Sequence, residues 1–280
     1  MKTIGFIDYY LSEWHANEYP AWIKQACEKL GKDVELKYAW AELDVSPVDG
    51  VTTKEWCDKY NVTQCKTIAE LCEKADYILI LSPSNPEKHL GYAKIALTYK
   101  KNTYIDKTFA PDLSTAQQIF DIAKENGTKF FSSSALRYAN ELDDIKDVSN
   151  VTVYGGGATI EEYIIHQTEM MVKLLQDKAT LIRVEKQGKQ YFTTVKTENG
   201  KQATMIFMSQ LNFAVFGERE NKDPFFKVIR SAFFNNLIED IINFFTTGEK
   251  SFDERETLEV MKVIDGVMRG KENLGEWIEI

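Results

Sequence analysis

The chain has 280 residues, 44% of them hydrophobic and 28% charged, with a net charge of −9. That length suits one large or two medium domains with sizeable cores. The acidic balance argues against nucleic acid or an anionic membrane as main partner, since both need clustered Lys and Arg.

The elements alternate through the first half. "TIGFID" reads as a strand, and a helix follows with Pro20 near its first turn. Its apolar face is Trp22, Ile23, Ala26, Cys27 and Leu30, and Gly31 is its stop. "DVELKYAWA" is a second strand, and "TKEWCDKYNV" and "TIAELCEKA" are short helices. "DYILILS" is a nearly continuous apolar run, as expected of a parallel strand buried on both faces. "EKHLGYAKIALTYKK" is helical and "TYIDK" is a strand. "STAQQIFDIAKENG" is a helix with a capping box, Ser114 with Gln117, and "KFFSSSA" closes the series. Repeated strand–helix–strand units imply an α/β fold, a doubly wound parallel sheet over residues 1–135.

The rhythm changes in the second half. "NVTVYGGG" precedes a helix from about Thr159 to Leu175. "TLIRVEKQ", "QYFTTVKT", "QATMIFMSQ" and "LNFAVFGE" are strands in succession, which suggests an antiparallel sheet. Two helices, "SAFFNNLIEDIINFFTTG" and "ERETLEVMKVIDGVMRG", precede a last strand, "EWIEI". A second domain over residues 136–280 is expected, with its boundary in the polar stretch from Leu136 to Val148.

The cysteines Cys27, Cys57, Cys65 and Cys72 form no CxxC pair and match no zinc spacing, so reduced thiols and no metal are expected. There is no basic-then-apolar leader and no run long enough to span a bilayer. A cytoplasmic protein without a membrane partner is the expectation.

Ligands of doubly wound sheets bind beyond the carboxyl ends of the strands. After "DYILILS" lie Pro83, Asn85 and His89, in a turn that starts a helix or packs on a ligand. After "TYI" lies Lys107, whose ammonium can bind a substrate hydroxyl or a developing alkoxide. In "EEYIIHQTEMM", Glu162, His166 and Glu169 share one helix face. A carboxylate one turn from a histidine can orient it and raise its basicity. An exposed helix carrying an ion pair has the same spacing. Glu-x3-His-x2-Glu also suits a metal, but no second histidine or cysteine lies nearby.

These pieces together resemble the Gfo/Idh/MocA family of NAD(P)-dependent sugar and polyol oxidoreductases, over nearly the whole chain. "DYILILSPSNPEKHLGYAKIAL" and "YIDKTFAPDLSTAQ" resemble the family's apolar strand, Pro-Asn turn, His-led helix and Glu-Lys-Pro motif. Asp106–Lys107 stand for the acidic-Lys pair. "RYANEL" resembles its Arg-containing segment, and "GGGATIEEYIIHQTEMM" its Gly-rich lead into Asp-x3-His-x2-Asp. The last two helices and "GEWIEI" resemble its closing elements. The resemblance implies an N-terminal Rossmann domain and a C-terminal α/β domain with an open, mostly antiparallel sheet, through which homodimers or homotetramers form. It implies NAD or NADP as cofactor and a sugar-like small-molecule substrate. His166 would take the hydroxyl proton, Lys107 would hydrogen-bond the reacting oxygen, and Glu162 would orient His166. Arg137 and Glu169 would contact substrate. Asp8, Tyr10, Glu42, Pro83, Asn85 and His89 would line the cofactor.

The departures are specific. Thr108 replaces the motif's proline. Glu162 replaces Asp, with Glu161 as rival. The segment between Arg137 and the glycine run is short. Aligned on Gly5, the three loop glycines become Asp8, Tyr10 and Glu13. That removes the close backbone approach a pyrophosphate needs and adds like charge. A ligand-binding or regulatory protein on the same scaffold, without dinucleotide binding, is therefore the competing expectation.

Overall fold

The computed structural model describes residues 1–280 as two compact units, 1–133 with 235–254, and 134–234 with 255–280. In the first unit the chain runs β1 (Lys2–Asp8), α1 (Trp14–Leu30), β2 (Val34–Ala41), α2 (Thr53–Tyr60), β3 (Thr63–Gln64), α3 (Ile68–Lys74) and β4 (Tyr77–Ile80). It continues α4 (His89–Ala96), β5 (Thr103–Ile105), α5 (Leu113–Asn126) and β6 (Phe130–Phe131). The strands form one parallel sheet in the order β3-β2-β1-β4-β5-β6. The order reverses between β1 and β4, so their carboxyl ends flank the switch point where such sheets bind ligands. Ile4, Phe6 and Ile7 of β1 and Ile78 to Ile80 of β4 are fully buried, which is why "DYILILS" reads as a nearly continuous apolar run.

Two local expectations are corrected. The cap of α5 is Asp112, whose carboxylate accepts the Thr115 N–H at 2.7 Å, and not Ser114 with Gln117. Asp112 has the extended backbone an N-cap needs, while Ser114 already lies inside the helix. Helix α1 begins at Trp14, so Pro20 lies well inside it, past the first turn.

The second unit contains β7 (Val148–Gly155), α6 (Ile160–Leu175), β8 (Ala179–Gln187), β9 (Gln190–Thr197), β10 (Gln202–Phe207), β11 (Ala214–Arg219) and β12 (Pro224–Val228). Helix α7 (Phe233–Thr247) follows, then α8 (Arg255–Glu272) and β13 (Trp277–Glu279). The sheet order is β12-β11-β7-β10-β9-β8-β13, antiparallel except for the parallel pair β7–β10. Strand β12 escaped the sequence reading because it opens on Pro224, which only an edge position tolerates.

The segment from 235 to 254 leaves the second domain that the sequence suggests and joins the first unit. Phe245 stacks on Tyr77 with ring centroids 5.0 Å apart, and Phe244 meets Phe131 edge-on at 5.0 Å. Asn102 Nδ2 donates to the carbonyls of Phe244 and Phe245 at 3.2 and 3.1 Å. The apolar face of α7 was legible in the sequence, but which sheet it would cover was not.

Candidate active site

At the switch point, β1 delivers Asp8, which is 1% exposed. Its Oδ1 accepts the Tyr9 N–H at 2.7 Å and the Ser82 hydroxyl at 3.1 Å. Its buried Oδ2 has no hydrogen-bond partner. Burial, and then the charge of Glu13, push the Asp8 carboxyl well above the usual carboxylate range.

Glu13 is the N-cap of α1. Its Oε2 accepts the His15 N–H at 2.8 Å and its Oε1 accepts the Ala16 N–H. These are the amides that the first turn of a helix leaves without intrahelical partners. Burial raises the Glu13 carboxyl as well. Two residues on, the His15 ring stacks on Tyr19 with centroids 5.1 Å apart, and its Nδ1 meets Asp106 Oδ2. Burial alone would raise Asp106, but His15 and then Lys107 hold it below its ordinary value. Asp106 Oδ1 in turn accepts the Lys107 N–H at 2.8 Å, and Lys107 Nζ donates to the Pro83 carbonyl at 3.1 Å. The Lys107–Thr108 peptide is cis.

The structure therefore brings Asp8, Pro83 and Lys107 together at the strand ends, as the sequence suggests, and adds Glu13, His15, Tyr19, Ser82 and Asp106. Glu13 was visible as a displaced glycine, but its capping role was not, because Glu is not among the favoured N-cap residues. His15 carried one signal, being one of only three histidines.

The other proposed cofactor contacts are differently employed. Both oxygens of Glu42 are taken, Oε1 by Lys88 Nζ at 2.6 Å and Oε2 by the Tyr92 hydroxyl at 2.7 Å. The hydrogen bond from Lys88 holds Glu42 below its ordinary value. Asn85 Nδ2 donates to Glu87 at 3.0 Å. His89 is fully buried, with Nδ1 3.0 Å from the Phe109 carbonyl and Nε2 2.5 Å from the Leu81 carbonyl. It ties the turn after β4 to the turn after β5 and so acts as a pin in the core. Tyr10 lies half-buried in the turn between β1 and α1.

In the second unit, α6 is a buried helix and not an exposed one. His166 is 6% exposed, between the edges of Tyr163 and Phe213 at 5.5 and 5.6 Å. Its Nδ1 lies 2.6 Å from the Ser134 hydroxyl. Glu162 lies half-buried one turn earlier, with its N–H capped by Thr159 Oγ1 at 3.3 Å. Its rival Glu161 is committed to an ion pair with Lys271 of α8.

Arg137 and Glu169 are spent on each other. Arg137 Nη1 meets Glu169 Oε2 at 3.0 Å, and Nη2 meets Glu256. Glu169 Oε1 accepts the Ser134 N–H at 3.1 Å. Burial raises the Glu169 carboxyl against the pull of Arg137. Burial likewise opposes the Arg137 charge, and the two glutamates more than restore it. The glycine run serves packing. A Cβ on Gly156 would lie 1.7 Å from the Met208 carbonyl oxygen, and one on Gly155 or Gly157 would strike the ring of Phe213 or Tyr163.

No group of three or more His, Cys, Asp or Glu side chains is placed to hold a metal ion. No helix is long and apolar enough to cross a membrane. Burial pushes the thiols of Cys57 and Cys72 up to about 12 and that of Cys65 to about 11, which makes them packing residues.

A dinucleotide places its diphosphate on the amides that open α1. Here those amides are occupied by the Glu13 carboxylate, and buried Asp8 stands beside it. The residues of this turn do not fit a diphosphate.

Residues 45–134 match the model of an oxidoreductase family with an NAD-binding Rossmann fold, that of Gfo/Idh/MocA, a span that begins after the turn between β1 and α1. No curated protein gives a significant match. Solved structures of similar fold include myo-inositol dehydrogenase from Lactobacillus casei in complex with NAD(H) and myo-inositol. It is 12% identical, covers 100% of this chain and 96% of that one, and has a TM-score of 0.80. An NAD-binding oxidoreductase from Klebsiella pneumoniae is 12% identical over 100% and 99% of the two chains, with a TM-score of 0.76. A dehydrogenase from Clostridium difficile is 12% identical over 96% and 99%, with a TM-score of 0.74.

Proposed function

We propose, from the premise that the Rossmann unit belongs to the Gfo/Idh/MocA oxidoreductase family, that this chain binds a sugar, polyol or related hydroxy compound. His166 is the residue that meets the ligand hydroxyl. The observation that carries the reading is the 2.6 Å contact between His166 Nδ1 and Ser134 Oγ in a buried, aromatic-walled position. Ser134 is itself held, because its Oγ accepts the Leu136 N–H at 3.2 Å and its N–H is tied to Glu169. An imidazole tied to Ser134 at Nδ1 is held in one orientation, which is what recognition of a ligand hydroxyl requires. The solved Lactobacillus casei relative holds myo-inositol, so a cyclic polyol is the first compound to try.

The turn between β1 and α1 does not suit a dinucleotide. NAD(P)-dependent hydride transfer is the second reading. The family match and the place of Lys107 at the end of β5 favour it. A thermal-shift panel of inositols, alditols, aldoses and hydroxy acids at millimolar concentration tests the first reading. A ligand at a hundred times its Kd stabilises by about 2.7 kcal/mol, which such a scan resolves. The expected result is a rise in Tm with at least one polyol that His166→Asn removes. A panel without effect, or a shift that His166→Asn leaves whole, would end this reading. Turnover of the same compound with NAD or NADP would establish the second.

A further inference from the structure

The α1 amides raise a question separate from the hydroxy ligand. Helix α1 runs for 17 residues, and its opening turn attracts negative charge. A diphosphate is one anion that satisfies such a turn. A side-chain carboxylate is another, and it is already attached to the chain. We propose that Glu13 is the resident anion of this turn, and that it excludes a dinucleotide by occupying the diphosphate's hydrogen-bond donors.

Three observations converge on this. Each Glu13 oxygen has its own amide, so the carboxylate is bidentate on the His15 and Ala16 N–H groups. Glu13 adopts the extended backbone of an N-cap, with φ −102° and ψ 170°, so the capped state fits the chain. The surroundings are hostile to further negative charge. From β1, Asp8 faces Glu13, and from the end of β5, Asp106 raises the Glu13 carboxyl further. The basic side chains nearby are engaged in the same network. His15 pairs with Asp106, and Lys107 donates to the Pro83 carbonyl. An incoming diphosphate would have to expel a carboxylate that loses no translational freedom by staying, and then sit beside two further acids. Asp8 and Tyr10 add to the exclusion, but Glu13 holds the donors. The inference stands whether or not a polyol binds near His166, because it concerns only the first unit.

The test is amide NMR and nicotinamide-fluorescence titration of the full chain with ADP, NADH and NADPH. In the native protein the His15 and Ala16 amide resonances should follow the ionisation of Glu13 and ignore millimolar ADP. Glu13→Gly uncovers both amides and removes the charge. It should gain affinity for ADP and NADH by about tenfold or more, with shifts centred on His15 and Ala16. Glu13→Ser keeps an uncharged capping oxygen and guards against a misfolded glycine variant, and it should gain less. Native protein that binds NADH with an affinity unchanged in Glu13→Gly would overturn the proposal. So would folded Glu13→Gly and Glu13→Ser variants that gain nothing, since the donors would then not be what excludes the ligand.

Discussion

Replacing Arg137 by methionine separates a structural strut from a ligand-binding arm. In the structure, Glu169 is 3% exposed at its side chain and is held by the Arg137 guanidinium at 3.0 Å and the Ser134 N–H at 3.1 Å. Methionine keeps much of the packing volume and removes the charge. The buried carboxylate is then left with one amide and the repulsion of Glu256. Breaking such a pair from one side costs about 3–5 kcal/mol. At about 2–4 °C per kcal/mol in domains of roughly 150–250 residues, Tm should fall by about 6–20 °C. The cost has a pH signature. Burial already raises Glu169 in the folded protein, and losing Arg137 raises it further. The folded variant thus holds this proton more tightly than the unfolded chain. Its deficit should be full above the raised folded pKa and shrink as pH falls toward the ordinary glutamate range. Arg137→Met combined with Glu169→Gln should recover much of the loss, because no buried charge is left alone. Urea unfolding of the single and double variants across pH measures all three. A deficit below about 1 kcal/mol, flat with pH, would be that of an exposed pair and would refute the strut. Loss of polyol binding with unchanged stability would restore Arg137 as a substrate contact.

Gly156→Ala should prevent the second unit from packing, because the new Cβ would lie 1.7 Å from a backbone carbonyl oxygen that has no rotamer to escape into. Limited proteolysis should then cleave within 134–234, and a native pattern with full Tm would contradict the packing account. Asp8→Asn keeps an acceptor for the Tyr9 N–H and Ser82 hydroxyl and removes a buried acid whose pKa is raised. An acid raised on folding costs stability as pH climbs from its unfolded to its folded pKa, about 1.4 kcal/mol for each unit between them. The variant should therefore exceed the native protein in Tm at neutral pH, with the gap closing toward acid. A gap that is constant or reversed would show that Asp8 is ionised and favourably placed.

The place of Lys107 in the fold was legible because strand ends are legible. Lys107 follows the short buried strand at Thr103–Ile105, and strand-end positions in such sheets face the ligand side. His166 was singled out by helical spacing. The same spacing misread Glu169, since periodicity shows that two side chains share a face and not whether that face meets solvent, ligand or a buried arginine. Glu42 was singled out by its place after the second strand. An acid after the second strand invites a ribose, but Lys88 and Tyr92, far along the chain, take both of its oxygens.

Sequence alone determined the parallel sheet, its alternation with helices, the change of rhythm near residue 135 and the absence of a glycine cradle between β1 and α1. Those features are local, carried by runs, periods and the residues of single turns. Tertiary structure alone decided that Asn235–Glu254 joins the first unit, that the glycine run at 155–157 serves packing, and that Glu13 turns back onto the amides of its own helix. Each of these depends on which polar or apolar group lies across a gap from residues distant or unfavoured in sequence. The loss of glycines thus told only what the turn lacks, and the bidentate cap of Glu13 tells what fills it.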